Sequence, residues 1–271
     1  MRRIILGDGK VSKIIRRDGD VIVTHSDVNI QNRQEVARII SESDCEVVIN
    51  AVAKTNLEWC QENKTECFDV NTAGVLNVLE ACANSHKKLV HISSGCLFDG
   101  NQTVITEDSP ATPAVWYTWT KLWGDQIIQS FGYDRFLILR PRQLVSSISH
   151  PTNLLTKFSK MKKILAIDEP NSVTCIEDFG KMIDHLLSVD ATGTFNCANS
   201  GVVSPYWIAK RLQKTISPDI NVEKIEYADF LKTLKNKRVN TILSTDKIEN
   251  TGYKNRHAID AINWCLENYK D

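Results

Sequence analysis

The apolar positions along this chain follow two periods. "RRIIL" (2–6), "EVVINA" (46–51), "KKLVHISS" (87–94) and "RFLILR" (135–140) carry apolar residues on successive positions. Runs of that length suit strands buried on both faces, as in the middle of a parallel sheet. "VIVTHSD" (21–27) reads as another strand. Between these runs the spacing lengthens. "NRQEVARIISES" (32–43) sets Val36, Ile39 and Ile40 at helical intervals, and "TAGVLNVLEACANS" (72–85) puts Val75, Leu76, Leu79 and Cys82 on one stripe. "YTWTKLWGDQIIQSF" (117–131) is the next helix. Strand and helix in turn predict an α/β, doubly wound parallel sheet of the Rossmann type, built with right-handed crossovers.

After about residue 141 the pattern loosens. "SVTCIEDFGKMIDHLLS" (172–188) reads as a short strand and a helix opened by Glu177 and Asp178. "GTFNCAN" (193–199) is strand-like, and "SPYWIAKRLQKTI" (204–216) is a helix with Ser204 as N-cap and Pro205 at its first position. "HAIDAINWCLENY" (257–269) is a final amphipathic helix. No repeat or low-complexity linker separates the halves. The expected division is residues 1–141 as a dinucleotide-binding domain. Residues 142–271 would then be a smaller part that returns elements to the first sheet and covers its site.

Composition narrows the classes. The 33 basic residues balance 33 acidic ones in 271, so no net field draws the chain to nucleic acid or an anionic membrane. The basic run "KFSKMKK" (157–163) reads as a solvated helix face. No stretch approaches the roughly 18 apolar residues of a membrane span. The start "MRRIILGDGK" lacks the apolar core of a signal peptide. Eight cysteines form no CxxC pair and have no metal-ligand spacing with histidine, which predicts free thiols in a reducing cytoplasm and no metal.

Ligands of doubly wound sheets bind at the carboxyl ends of the strands, where strand order reverses. Three segments stand there. "GDGK" follows the first strand: Gly7 and Gly9 suit a tight turn and close approach to a pyrophosphate, and Ser12 takes the third-glycine position with a hydroxyl available to phosphate. Asp27 and Val28 end the second strand region; Asp27 either accepts from an adenine amino group or caps the next helix. Asn50, Ala51 and Ala53 follow the third strand and would let a cofactor approach the backbone. No arginine directly follows the second strand to hold a 2′-phosphate; Arg33 is the one candidate, which leaves NADPH and NADH both open. The cofactor expected is NADPH or NADH.

"SSGCLFDG" (93–100) and "YTWTK" (117–121) carry the chemistry. Tyr117 and Lys121 are four apart, on one helix face. An ammonium one turn away favours phenolate and lowers the phenol's pKa. Tyr117 would then protonate a carbonyl oxygen while a nicotinamide delivers hydride, and Ser94 would hold that oxygen. In extended backbone Ser94 and Cys96 would share a face.

The chain resembles the extended short-chain dehydrogenases/reductases, in particular the dTDP-4-dehydrorhamnose reductase branch. The resemblance rests on "VVINAVAKTNLEWCQENKTECFDVNTAGVLNVLEAC", "LVHISSGCLFDG", "TEDSPATPAVWYTWTK" and "RVNTILSTDKI". It covers nearly the whole length, most strongly 46–125. "NLEWCQENKTE", the "GC" after the serine, "NLLTK" and "GTFNCANSGVVS" look like the bifunctional UDP-4-keto-6-deoxyglucose 3,5-epimerase/4-reductases of rhamnose synthesis. The short glycine loop and the tryptophans of "VWYTWTK" depart from the pattern.

That resemblance implies reduction of a nucleoside-diphosphate-4-keto-6-deoxyhexose, with a nucleotide-linked rhamnose as product. It implies Cys96 and Lys157 as the epimerisation pair, since a C4 ketone acidifies the protons at C3 and C5. It implies Asn153, Arg238 and Asn240 as substrate contacts, with Ser94 and Cys96, and Asn71 as a brace of the cofactor-side loops or a helix N-cap. A homodimer is an allowed partner state. The rival readings are a reductase without epimerase activity and a catalytically silent, cofactor-binding regulatory subunit.

Overall fold

The computed structural model describes residues 1–100, 104–236 and 239–270. In chain order the first elements are β1 (Arg3–Leu6), α1 (Lys10–Ile15), β2 (Val21–Val23), α2 (Arg33–Glu42) and β3 (Val47–Asn50). Then come α3 (Leu57–Glu62), α4 (Lys64–Phe68), a π-helical turn (Asp69–Ala73), α5 (Gly74–Asn84), β4 (Lys88–Ile92), α6 (Trp116–Ser130) and β5 (Phe136–Arg140). The remainder is β6 (Leu144–Val145), α7 (Leu154–Ser159), β7 (Lys163–Ala166), β8 (Thr174–Cys175), α8 (Ile176–Ser188), β9 (Gly193–Asn196), α9 (Pro205–Thr215), β10 (Asn221–Lys224), α10 (Tyr227–Lys232), α11 (Asp246–Glu249) and α12 (Ala258–Glu267). No helix among the described residues is long and apolar enough to cross a membrane.

Two compact units divide the chain. The first comprises 1–97, 110–140 and 186–195, and the second 98–109, 141–185 and 196–271. The first unit's sheet runs β2-β1-β3-β4-β5-β9. The β2–β1, β1–β3, β3–β4 and β4–β5 pairs are parallel. Strand order reverses between β1 and β3. Every residue of β1 and β3 is buried, because helices cover both faces of a doubly wound sheet. The register sets Leu6 beside Asn50, Asn50 beside His91 and His91 beside Ile138. Polar residues thus enter an otherwise apolar row near the strands' carboxyl ends.

Gly7 and Gly124 are glycines that geometry requires. Gly7 turns the chain after β1 at φ +96°, and a Cβ there would lie 3.2 Å from Val52 Cγ2. Gly124, in the middle of α6, lets the helix settle against the π-turn, where a Cβ would stand 3.0 Å from the Asn71 carbonyl oxygen. At α2, Asn32 Oδ1 accepts from the N–H groups of Gln34 and Glu35 as the N-cap.

The second unit contains two small parallel pairs, β6–β8 and β10–β7. Val145, Leu155, Ile164, Val173, Ile208 and Ile262 lie in its core. The Ser204 cap of α9 forms as expected, accepting from Trp207 N at 3.0 Å, with Pro205 next.

Some boundaries differ from the sequence expectation. The strand expected over 21–27 stops at Val23, because Asp27 Oδ2 accepts from Thr24 N (2.8 Å) and Thr24 Oγ1 (2.7 Å) and closes a turn. The strand expected over 87–94 stops at Ile92. The basic run 157–163 is not one helix: α7 ends at Ser159 and Lys163 opens β7.

Candidate active site

Ser94, Tyr117 and Lys121 come together at the carboxyl end of β4, all within the first unit. Ser94 sits two residues beyond the strand, 5 % exposed, and its side chain is hydrogen-bonded to the Tyr117 phenol. Tyr117 lies in the first turn of α6, 9 % exposed. That turn is fixed locally: Thr118 Oγ1 accepts from Val115 N at 3.2 Å, and Trp116 Nε1 donates to the Lys64 carbonyl at 2.9 Å. Lys121, one turn along, is 1 % exposed. Its Nζ donates to the Ile92 carbonyl at 2.9 Å and lies 3.3 Å from His91 Nε2.

The electrostatics differ from the expectation in one respect. Burial pushes the Tyr117 phenol above its ordinary range, reinforced by Cys96, while the Ser94 hydrogen bond opposes the rise. The net shift is upward, opposite to the lowering expected from Lys121. Lys121 is itself pushed down to about 8 by burial, against the opposing pull of Asp125 and Cys67. The phenol therefore stays protonated at neutral pH.

Around this trio the structure adds residues that pattern reading missed. Asp125 is one further turn along α6, fully buried and paired with Arg140 at 3.1 Å. Burial raises its carboxyl, and Arg140 counters the rise. Tyr117, Lys121 and Asp125 thus follow one another at four-residue steps, a spacing legible in the sequence. Cys60 and Cys67 are buried beside Tyr117. The Cys60 thiol donates toward Cys67, lowering the pKa of Cys67 and raising its own. His91, in β4, is a fully buried polar side chain.

Of the expected cofactor residues, Gly7 and Gly9 follow β1, and Asn50, Ala51 and Ala53 end or follow β3, the two strands between which the order reverses. Gly9 has no heavy atom within 4 Å of where a Cβ would stand, and the amino end of α1 carries no side-chain cap. An open backbone with uncapped N–H groups fits a pyrophosphate. Ser12 is 1 % exposed, on the α1 face that also buries Ile15. Asp27 is exposed and bound to Thr24, and Asn32 rather than Asp27 caps α2. Val28 is buried. Arg33 pairs with Glu80, its Nε 2.8 Å from Glu80 Oε2. Asn50 is fully buried at the end of β3, and its Oδ1 accepts from Val52 N at 3.1 Å. Ala51 and Ala53 are half-buried in the loop that follows. Asn71 acts as a brace and not as a cap: its Oδ1 accepts from Lys54 N at 2.8 Å and its Nδ2 donates to the Lys54 carbonyl at 2.9 Å.

The remaining expectations fare differently. Cys96 is half-buried, in a turn in which Ser94 Oγ accepts from Cys96 N at 3.1 Å. The extended backbone assumed for 94–96 is therefore wrong, because the serine hydroxyl closes a tight turn of its own. Asn153 is fully buried as the N-cap of α7, its Nδ2 donating to the carbonyls of Ser146 (2.8 Å) and Ile148 (2.9 Å). Lys157 is exposed on α7, and Asn240 is half-buried in the second unit. Arg238 lies outside the described residues.

A doubly wound parallel sheet with a serine, a tyrosine and a lysine gathered at the end of its fourth strand defines the class: a Rossmann-type protein of the short-chain dehydrogenase/reductase kind. More narrowly, the chain belongs to the family described as the RmlD substrate binding domain, whose model matches residues 6–270.

Its relatives agree. The chain is 25% identical over 253 residues to the bifunctional dTDP-4-dehydrorhamnose 3,5-epimerase/dTDP-4-dehydrorhamnose reductase of Arabidopsis thaliana, covering 89% of this chain and 82% of that one. It spans only 32% to 37% of the length of the trifunctional Arabidopsis relatives, whose names add a UDP-glucose 4,6-dehydratase. Among solved structures, dTDP-4-dehydrorhamnose reductase from Bacillus anthracis in complex with NADP superposes with a TM-score of 0.89 at 20% identity, over 99% of both chains. The L780 UDP-rhamnose synthase of Acanthamoeba polyphaga mimivirus gives 0.87 at 22% identity, again over 99% of both.

Proposed function

We propose that this protein reduces the C4 ketone of a nucleoside-diphosphate-4-keto-6-deoxyhexose with NADPH or NADH. The observation that carries the reading is the Ser94–Tyr117 hydrogen bond with Lys121 one turn along, at the carboxyl end of β4. The open backbone at Gly9, the turn at Gly7 and the loop Asn50–Ala53 would hold the dinucleotide. When bound, the reduced nicotinamide supplies the hydride. Tyr117 donates its phenolic proton to the ketone oxygen, breaking its O–H bond as the new hydroxyl forms. Ser94 fixes that oxygen's place beside the phenol. Lys121 in its ammonium form stabilises the phenolate left behind.

The bifunctional relative, together with the half-buried thiol of Cys96 two residues from Ser94, supports 3,5-epimerase activity in the same protein, with Cys96 and Lys157 as the acid–base pair. Groups that polarise the C4 ketone for reduction also stabilise the enolate formed when a C3 or C5 proton leaves. Eight free cysteines suit a reducing compartment such as the cytoplasm. A homodimer is the assembly we place beside this reading.

The test is incubation with UDP- and dTDP-4-keto-6-deoxyglucose and each reduced cofactor, with the product sugar identified by NMR. A rhamnose product supports both activities. Turnover only of a pre-epimerised sugar supports the reductase alone. Cofactor binding without oxidation by any keto sugar sinks the enzymatic reading. Solvent deuterium entering C3 and C5 as fast in Cys96→Ala as in the unaltered protein removes the cysteine from the epimerase assignment.

A further inference from the structure

Four polar groups form a chain beneath the reaction centre. Val52 N donates to Asn50 Oδ1 at 3.1 Å, and this bond fixes which end of the Asn50 amide is which. The amide NH2 then faces His91 Nδ1 at 3.4 Å. The strand register makes these two residues direct neighbours. An NH2 group has only protons to offer, so Nδ1 must accept. A neutral imidazole that accepts at Nδ1 carries its proton on Nε2. Nε2 is the ring atom 3.3 Å from Lys121 Nζ.

We propose that Asn50 locks His91 in the Nε2–H tautomer, and that His91 is thereby a positioning residue which presents a donor to Lys121 Nζ and favours its neutral amine.

The argument is one of donors and acceptors. An ammonium has three N–H donors and no lone pair; an amine has a lone pair. With the amine, every link is satisfied: Val52 N–H to Asn50, Asn50 to His91, His91 Nε2–H to the Lys121 lone pair, and a Lys121 N–H to the Ile92 carbonyl. With the ammonium, two N–H groups oppose each other at a site that is almost wholly buried. Burial keeps the ring itself neutral, and Lys121 pushes it the same way. The titratable groups that act on Nζ are His91 from β4, Asp125 from α6 and Cys67 from α4, with Arg140 of β5 behind Asp125, and Tyr117 stands one turn before Lys121 on α6. Of these, Asp125 and Cys67 favour the ammonium, so the His91 donor is the local counterweight. A lysine held near the midpoint gives up and regains a proton readily, which is what replenishing Tyr117 after each turnover requires.

The inference rests on the proposed reductase reading for its purpose but not for its test. The first measurement is 15N NMR of the imidazole nitrogens in the full unliganded chain, with His91 assigned by its loss in His91→Phe. An Nε2–H tautomer between pH 6 and 9 is expected. An Nδ1–H tautomer, or an imidazolium, overturns the proposal whether or not the protein is an enzyme. The second is the pH profile of turnover. Asn50→Asp replaces the donor at Nδ1 by an acceptor, flips the tautomer and turns Nε2 into an acceptor for the ammonium. The alkaline limb should move up by about one pH unit, a tenfold gain in proton affinity. An unmoved limb in an active Asn50→Asp enzyme overturns the proposal. A wild-type chain that reduces no keto sugar overturns the functional reading alone, and the NMR result still decides the tautomer.

Discussion

Asn71 grips both backbone groups of Lys54, accepting from its N–H at 2.8 Å and donating to its carbonyl at 2.9 Å. The side-chain amide thus copies the pairing of a neighbouring strand and pins the loop after β3 to the π-turn before α5. Its Nδ2 also reaches Thr120 Oγ1 at 3.1 Å, which joins the loop to the helix bearing Tyr117 and Lys121.

Replacing Asn71 by Ala leaves the Lys54 N–H without its partner and the Lys54 carbonyl with only the longer contact from Cys60 Sγ at 3.5 Å. The expected loss is about 1–3 kcal/mol of folding stability. Because the loop lies at the cofactor end of β3, KM for the dinucleotide should rise more than kcat falls. Urea unfolding and steady-state kinetics check the two parts. Unchanged stability would mean that the brace contributes nothing.

Tyr117→Phe keeps the ring and its packing but removes the proton. Turnover should fall by a factor of roughly 10²–10⁴, the usual contribution of a general acid. Cofactor affinity, read by nicotinamide fluorescence, should change little by comparison. A variant with near-normal turnover would remove Tyr117 from the chemistry.

Lys121 titrates at about 8 against its ordinary 10.5. If its ammonium supports the phenolate, reductase turnover is highest below that value and falls as pH rises through it. Stability has its own sign. The unfolded lysine holds a proton between about 8 and 10.5 that the folded one has released. This group's contribution to stability therefore rises with pH across that window and is constant below it. Lys121→Met should abolish both effects, read by pH–rate profiles and denaturation midpoints.

Gly124→Ala places a methyl 3.0 Å from the Asn71 carbonyl oxygen and 3.9 Å from His91 Nε2. Helix and π-turn must separate by a few tenths of an ångström. The expected cost is about 1–3 kcal/mol, the range for overpacking a filled interior. Displacement of Lys121 should lower turnover as well. Calorimetry and kinetics on one preparation check both.

Legibility in the sequence varied by element. The central strands could be read because continuous apolar runs have few other uses in a chain of this size, and α5 and α6 because their apolar stripes repeat at helical spacing. Tyr117 and Lys121 were visible for a related reason: four residues on a helix fix a shared face whatever surrounds it. The short helices α3, α4 and α10 were not read, since few turns give no periodicity to detect. The β7–β10 pair was missed because its strands are four residues each and pair across more than fifty positions.

What the chain settled by itself was the order of strands and helices and the placing of a serine, a tyrosine and a lysine near one strand end. These follow from local spacing. Tertiary structure alone decided that Ser12 is buried, that Asn153 gives its amide protons to the Ser146 and Ile148 carbonyls, and that residues 94–96 form a turn. It alone set His91 between Asn50 and Lys121. Those outcomes depend on which groups lose water together and which donors then face which acceptors. Such matters are fixed by strand register and helix approach, between residues far apart in sequence, and no local pattern encodes them.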